Sequence, residues 1–197
     1  MASKNFGKLS IEMDTRDLAR VGNLFAAAAG KAPLALARAL NHTGAKAKTQ
    51  MVRALVIQTG LKRPTFVRAL KPSNASAGRL SYEITSYGGD VSLKYFGARE
   101  TRKGVSAAPW NDRGIYDGTF MKAGWFPNRV SKGNWNGQVW RRTGTATASG
   151  MDRFEKQKSG LFIPEEMVRD ESAKAFNDTA SRDLGDRLAH ELTRIIG

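Results

Sequence analysis

The sequence predicts an α+β fold: a mostly antiparallel sheet packed by N-terminal helices and a long C-terminal amphipathic helix, with extended loops. Three observations carry this. Apolar residues recur at three- and four-residue steps near both ends of the chain, the period of a helix with one buried face. Between about residues 80 and 96 they alternate with polar residues, the period of a strand. From there to about residue 160 the chain is dense in Gly, Asn, Lys and Ser, a composition suited to exposed loops. The 197 residues read as a single domain, with strand and helices over 1–72, sheet and loops over 78–163 and a C-terminal helix over 164–197. A chain of this length buries roughly 70% of the surface its unfolded form exposes.

The elements follow in order. "KLSIEM" alternates Leu9, Ile11 and Met13 with polar residues and predicts a short strand. Asp14 or Thr15 then caps a helix carrying Leu18, Val21, Leu24, Phe25 and Ala28 on one face, and Gly30 stops it. Pro33 opens a second, longer helix, since its fixed φ matches a first helical turn. Leu36, Leu40, Thr43, Ala47, Met51 and Ala54 form its apolar face, Arg38, Lys46, Lys48 and Arg53 its basic one, and Gly60 ends it. "RPTFVRALKP" predicts one or two further helical turns in which Phe66, Val67 and Leu70 pack. "SNASAG" is turn material.

The period then changes. "RLSYEITSY" puts Leu80, Tyr82 and Ile84 on one strand face, and "VSLKYF" does the same for Val91, Leu93 and Tyr95, with "GGD" between them as a hairpin turn. "GTFMKAGW" at 118–125 and "QVWRR" at 138–142 are weaker strands. "LFIP" predicts a last short strand. Glu165 and Glu166 suit the N-terminus of the final helix, where the macrodipole favours anions. Val168, Phe176, Leu184, Leu188, Leu192 and Ile195 give that helix its apolar face, and Gly185 weakens it locally.

Charge and composition narrow the function. The net charge is +14. Residues 1–160 hold 27 Lys and Arg against 10 Asp and Glu, and residues 161–197 hold 5 against 8. Such an excess favours nucleic acid or an acidic protein surface as neighbour, and the acidic C-terminal segment equally suits a basic copy of the same chain. There is no cysteine, which excludes disulfides, thiolate catalysis and cysteine zinc sites and fits a reducing compartment. No stretch has the length of a signal peptide or of a membrane span, so a soluble protein without membrane contact is expected.

Catalytic chemistry is sparse. His42 and His190 are the two histidines, and neither has a partner at zinc-site spacing such as H-E-x-x-H; whether they meet in the fold stays open. Asp112 and Asp117 flank a glycine turn, where aspartate is common for conformational reasons, and with Asp152 they are the local acids a phosphoryl-transfer metal site would need. No phosphate loop and no nucleophile elbow is present. The expectation is a protein that is not an enzyme, with no cofactor and no metal. One constellation stands out. Lys94, Arg99, Arg102 and Lys103 surround Tyr95 and Phe96; Trp110, Trp125, Trp135 and Trp140 follow, with Arg141 and Arg142 after. Cations can neutralise phosphates and aromatic faces can stack on bases. The same pattern also arises from a solvated charge run with core aromatics.

Residues 93–105 follow an L-x-x-F-x-A-R-x-T-x-x-G-V pattern, through Leu93, Phe96, Ala98, Arg99, Thr101, Gly104 and Val105. Trp110 and a basic turn come next, then "YDGTFM", a P-G-x-F-like step with Asp117 in the place of proline, then Gly137 to Gly144 enclosing "VWRRTG". With the early "ALARALNHTGAKAKTQMVRAL" and "TGLKRPTFVRAL" and the apolar, proline-led entry to the last helix, the chain resembles the phage and prophage minor tail protein Z family over nearly its whole length. The resemblance implies a non-enzymatic virion protein, a tail-completion or head–tail joining component at the head-proximal end of the tail. It implies a homo-oligomeric ring, six-fold like the tail tube, assembled in the host cytoplasm beside other tail and neck proteins, with contact to packaged DNA in the lumen. Lys94, Arg99, Arg102, Lys103, Trp110, Arg141 and Arg142 are then the expected subunit-interface or DNA-lumen contacts. A basic nucleic-acid-binding protein with non-sequence-specific phosphate contacts is the rival reading.

Overall fold

The computed structural model describes residues 5–12, 22, 29–124, 127–148, 150 and 152–196. Among these residues four helices and three small antiparallel sheets make an α+β fold. The predicted helix over Leu18 to Ala28, the strand end at Met13 and the indole of Trp125 lie outside the described residues. The chain divides into two compact units.

The first unit comprises residues 5–55, 63–88 and 163–197. Strands β1 (Asn5–Glu12), β2 (Leu70–Ser73) and β3 (Ser81–Gly88) pair antiparallel in the order β1-β3-β2. The strand pattern of β3 is as read, with Tyr82 and Ile84 buried. Helix α1 (Ala32–Thr59) buries Leu36, Leu40, Thr43, Ala47, Met51 and Leu55 along one stripe. Gly44 in its middle is required by packing: a Cβ there would sit 2.3 Å from the Tyr82 ring. The helical cost of glycine, about 1 kcal/mol, is accepted so that an aromatic ring can lie on the helix backbone. Helix α2 (Arg63–Ala69) buries Phe66 and hands the chain to β2. Val67 is 52% exposed rather than packed, because one short helix buries one face and Phe66 holds it.

Three further expectations are corrected by the structure. "GGD" is no hairpin turn. β3 is the central strand, so both its edges are already taken, and Val91 pairs instead with Leu161 and Ser159. "LKYF" is a turn of 3₁₀ helix and not a strand. Leu93 and Phe96, three apart, are both buried while Tyr95 is 49% exposed, and a 3₁₀ turn brings i and i+3 to one side. Gly97, at φ +63°, ends it. "LFIP" also forms no strand: helix α3 (Ile163–Glu166) starts there, consistent with proline's preference for a first turn. Glu165 and Glu166 therefore belong to α3. The long helix α4 (Asp170–Ile196) has Asp170 and Glu171 in its own first turn. Asp170 takes a left-handed φ of +47°, and Ser172 Oγ donates to the Glu166 and Arg169 carbonyls across the bend. Val168, placed in the bend, is exposed rather than on the apolar face. Phe176, Leu184, Leu188 and Leu192 form that face as read.

The second unit comprises residues 56–62 and 89–162. β4 (Arg99–Glu100), β5 (Gly104–Ala107) and β6 (Gly114–Asp117) form one sheet. β7 (Thr119–Phe120), β8 (Trp140–Ala146) and β9 (Asp152–Lys156) form the other. Its apolar centre is small: Leu61, Leu93, Phe96, Val105, Ala107, Val139 and Leu161. Thr119 ties the sheets together, its Oγ1 accepting from the Val105 N–H at 3.0 Å and donating to the Tyr116 carbonyl at 2.6 Å. Beyond β7, the β8–β9 hairpin is an arm. Every residue of β8 from Arg141 to Ala146, and all of β9, is exposed.

Two outcomes test the first unit. Leu188 is fully buried, so Leu188→Asp places an unpaired charge in the core and should cost several kcal/mol, read as a large fall in thermal midpoint. Asp183 accepts from Arg182 and from Lys46 (2.5 Å), and these bonds hold its carboxyl down to about 2 from an ordinary 3.8. Its pKa is depressed on folding, so its contribution is present above the unfolded value and is lost as pH falls through the folded one. Both cations are half-exposed or more, which limits the effect to about 1 kcal/mol. Acid titration of stability between pH 4 and 2 should flatten by that amount in Asp183→Asn.

Candidate functional site

The second unit carries the site. A groove of about 390 Å³ is lined by Thr101, Arg102, Lys103, Gly104, Lys122, Arg129, Trp135, Arg142, Asp152 and Phe154, among others. Its position follows from local chemistry. The turn joining β4 to β5 is tight: the Thr101 N–H and hydroxyl both donate to the Gly104 carbonyl at 2.7 Å. Gly104 is forced, since a Cβ there would lie 2.1 Å from the Tyr116 carbonyl oxygen on β6. Gly118 N–H also donates to the Lys103 carbonyl. The backbone of Arg102 and Lys103 is thus clamped while both side chains remain exposed.

The opposite wall is the segment around Lys122 and Arg129. The Ala123–Val130 bridge closes it, and Arg129 forms an ion pair with Glu100 of β4. That pair is largely buried, with 22% and 9% of the two side chains exposed. Arg129 Nε and Glu100 Oε2 are buried with no hydrogen-bond partner in the protein. The third wall is the base of the arm. Arg142 pairs with Asp152 and lies 5.5 Å from the centre of the Phe120 ring. Beneath it, Phe120, Trp135, Trp140 and Phe154 form a mutual ring cluster with centroids 5.2 to 5.9 Å apart. Edge and tilted contacts of this kind stabilise a cluster beyond its buried area. Phe154 is nonetheless 42% exposed. The result is a concave surface with an aromatic floor and five cations. Two are anchored by carboxylates, and Arg102, Lys103 and Lys122 have no acidic partner among the described residues.

The sequence-derived residues divide accordingly. Arg102, Lys103 and Arg142 meet in the groove. Arg99 lines a neighbouring cleft of about 320 Å³ with Lys122 and Lys132. Lys94 lies apart, its Nζ 5.0 Å from the Tyr95 ring and 3.4 Å from the Asn136 carbonyl. Arg141 takes the other face of β8, in register with Thr119 and Glu155. Trp110 is 44% exposed in a left-handed conformation (φ +52°), with Asn111 next to it also left-handed and donating to the Ile57 carbonyl. Lys122, Arg129, Phe120 and Phe154 went unread. Phe120 and Phe154 lie on the short strands β7 and β9, and Lys122 and Arg129 outside any strand, so the four share no sequence period. In the first unit, His42 and His190 do line one cleft, with Lys46, Asp183, Asp186 and Arg187. Among the described residues no group of three or more His, Asp or Glu could hold a metal ion, and Asp112, Asp117 and Asp152 form no such group.

Comparison of the chain with protein-family models, with curated proteins and with solved structures finds no match.

Proposed function

We propose that this protein is a structural component of a tailed-phage virion, a tail-completion or head–tail joining subunit that assembles as a ring at the head-proximal end of the tail. The observation that carries the reading is the β8–β9 arm. It pairs with β7 only at Phe120 and Thr119, and from Arg142 outward β8 pairs with β9 alone. A two-stranded hairpin on its own is marginally stable in water. An arm of this kind gains its stability from a neighbour, which in a ring is the next copy in a heterologous contact. The resemblance of residues 93–144 to the minor tail protein Z pattern reaches into β8, the first strand of this arm.

The groove favours the second reading, a basic protein making phosphate contacts without sequence selection. Both readings are compatible if the groove faces a lumen that carries DNA.

Electron microscopy of purified particles, with this chain labelled, is expected to place it at the neck-side end of the tail. Density at the distal tip, or particles that lack the chain, would overturn the assignment.

A further inference from the structure

We propose that the groove binds single-stranded nucleic acid, holding about one nucleotide with its phosphate on Arg102, Lys103 and Lys122 and its base against Phe154 and Trp135. The inference rests on the nucleic-acid reading of the groove and is independent of the virion assignment.

Charge, shape and chemistry each select this ligand. The three cations without acidic partners define an anion site. Two of them stand on a turn clamped by Thr101, Gly104 and Gly118, so little backbone order is lost on binding. The lining is mainly polar, and Phe120, Trp135 and Phe154 are its aromatic part. A small anion such as free phosphate gains nothing from Phe154 and Trp135, whereas a base presents a face that stacks on them. A duplex keeps its base faces stacked on one another, so it uses the cations and leaves the aromatic floor unused. An acidic polypeptide likewise offers carboxylates without flat rings. The volume of about 390 Å³ falls in the range of sites that take one small organic unit, roughly 300 to 1,000 Å³. Arg142 already lies over the Phe120 ring and Lys156 over Trp140, at 5.5 and 5.7 Å. The floor therefore already holds cations against π faces, an arrangement that can extend to a base stacked beside them.

The test is a fluorescence titration of the full chain at low salt with a thymidine oligonucleotide, with a duplex of equal length, and with polyglutamate. The single strand is expected to quench tryptophan emission and to bind at least ten-fold tighter than the duplex. With one phosphate neutralised, the logarithm of its binding constant should fall against log salt with a slope of about −0.7. Lys122→Gln, at an exposed position, should weaken binding at low salt and flatten that slope. Phe154→Ala should weaken binding by about five-fold or more at unchanged slope, with Phe154→Tyr restoring it. Trp135→Phe should remove most of the quenching. Thermal midpoints of the variants separate loss of binding from loss of folding. Duplex binding as tight as single-strand binding, without quenching, would overturn the single-strand inference and leave phosphate contact standing. Polyglutamate binding equal to that of the oligonucleotide would assign the groove to an acidic protein surface instead. No binding to either nucleic acid would overturn this inference and the nucleic-acid reading together, while leaving the ring assignment to particle imaging.

Discussion

The second unit depends on the ion pair between Glu100 and Arg129. Its apolar centre is small, and the segment from Met121 to Val130 contributes no residue to it among those described. What fixes that segment to β4 is a carboxylate and a guanidinium that are both largely out of solvent. Burying two charges is expensive, and their attraction offsets the desolvation only in good geometry. Loss of one partner strands the other and costs about 3–5 kcal/mol. The pair therefore ties to β4 the segment whose Lys122 lines the groove with Arg102 and Lys103. Without it, the groove would be a set of exposed lysines and arginines with no shared geometry.

The same economy shapes the rest of the unit. Where apolar side chains are few, close backbone contact replaces them. Gly104 lets β5 lie against the Tyr116 carbonyl, and Thr119 uses one hydroxyl to bond two strands. The first unit works the other way, with long helical stripes around Leu40, Met51, Phe176 and Leu188 and a glycine at Gly44 that admits the Tyr82 ring. The two units thus differ in what holds them, side-chain burial in one and polar clamps with ring contacts in the other.

This difference explains what the sequence made legible. α1, α4 and β3 were readable because burial imposes a period and the residues on the buried face are large. Elements built on polar clamps leave no period: β4, β5, β6 and β9 are short, and their determinants are single glycines, threonines and charges. "VSLKYF" shows the limit. Its alternation is genuine in sequence, but the edges of β3 are already taken, and a 3₁₀ turn buries Leu93 and Phe96 together. Of the site, Arg102, Lys103 and Arg142 were found through charge density. Their companions Lys122, Arg129 and Phe154 were not: Phe154 arrives through the pairing of β8 and β9, and Lys122 and Arg129 through the Ala123–Val130 bridge and the ion pair to Glu100.

An uncovered arm beside a preformed groove is the central feature of the account, and amide hydrogen exchange over residues 140–156 tests it most directly. In the isolated chain these amides should exchange rapidly, as expected of an exposed hairpin outside the core. In chain recovered within assembled particles they should slow by at least ten-fold. Equal exchange in the two states would contradict the claim that assembly covers the arm.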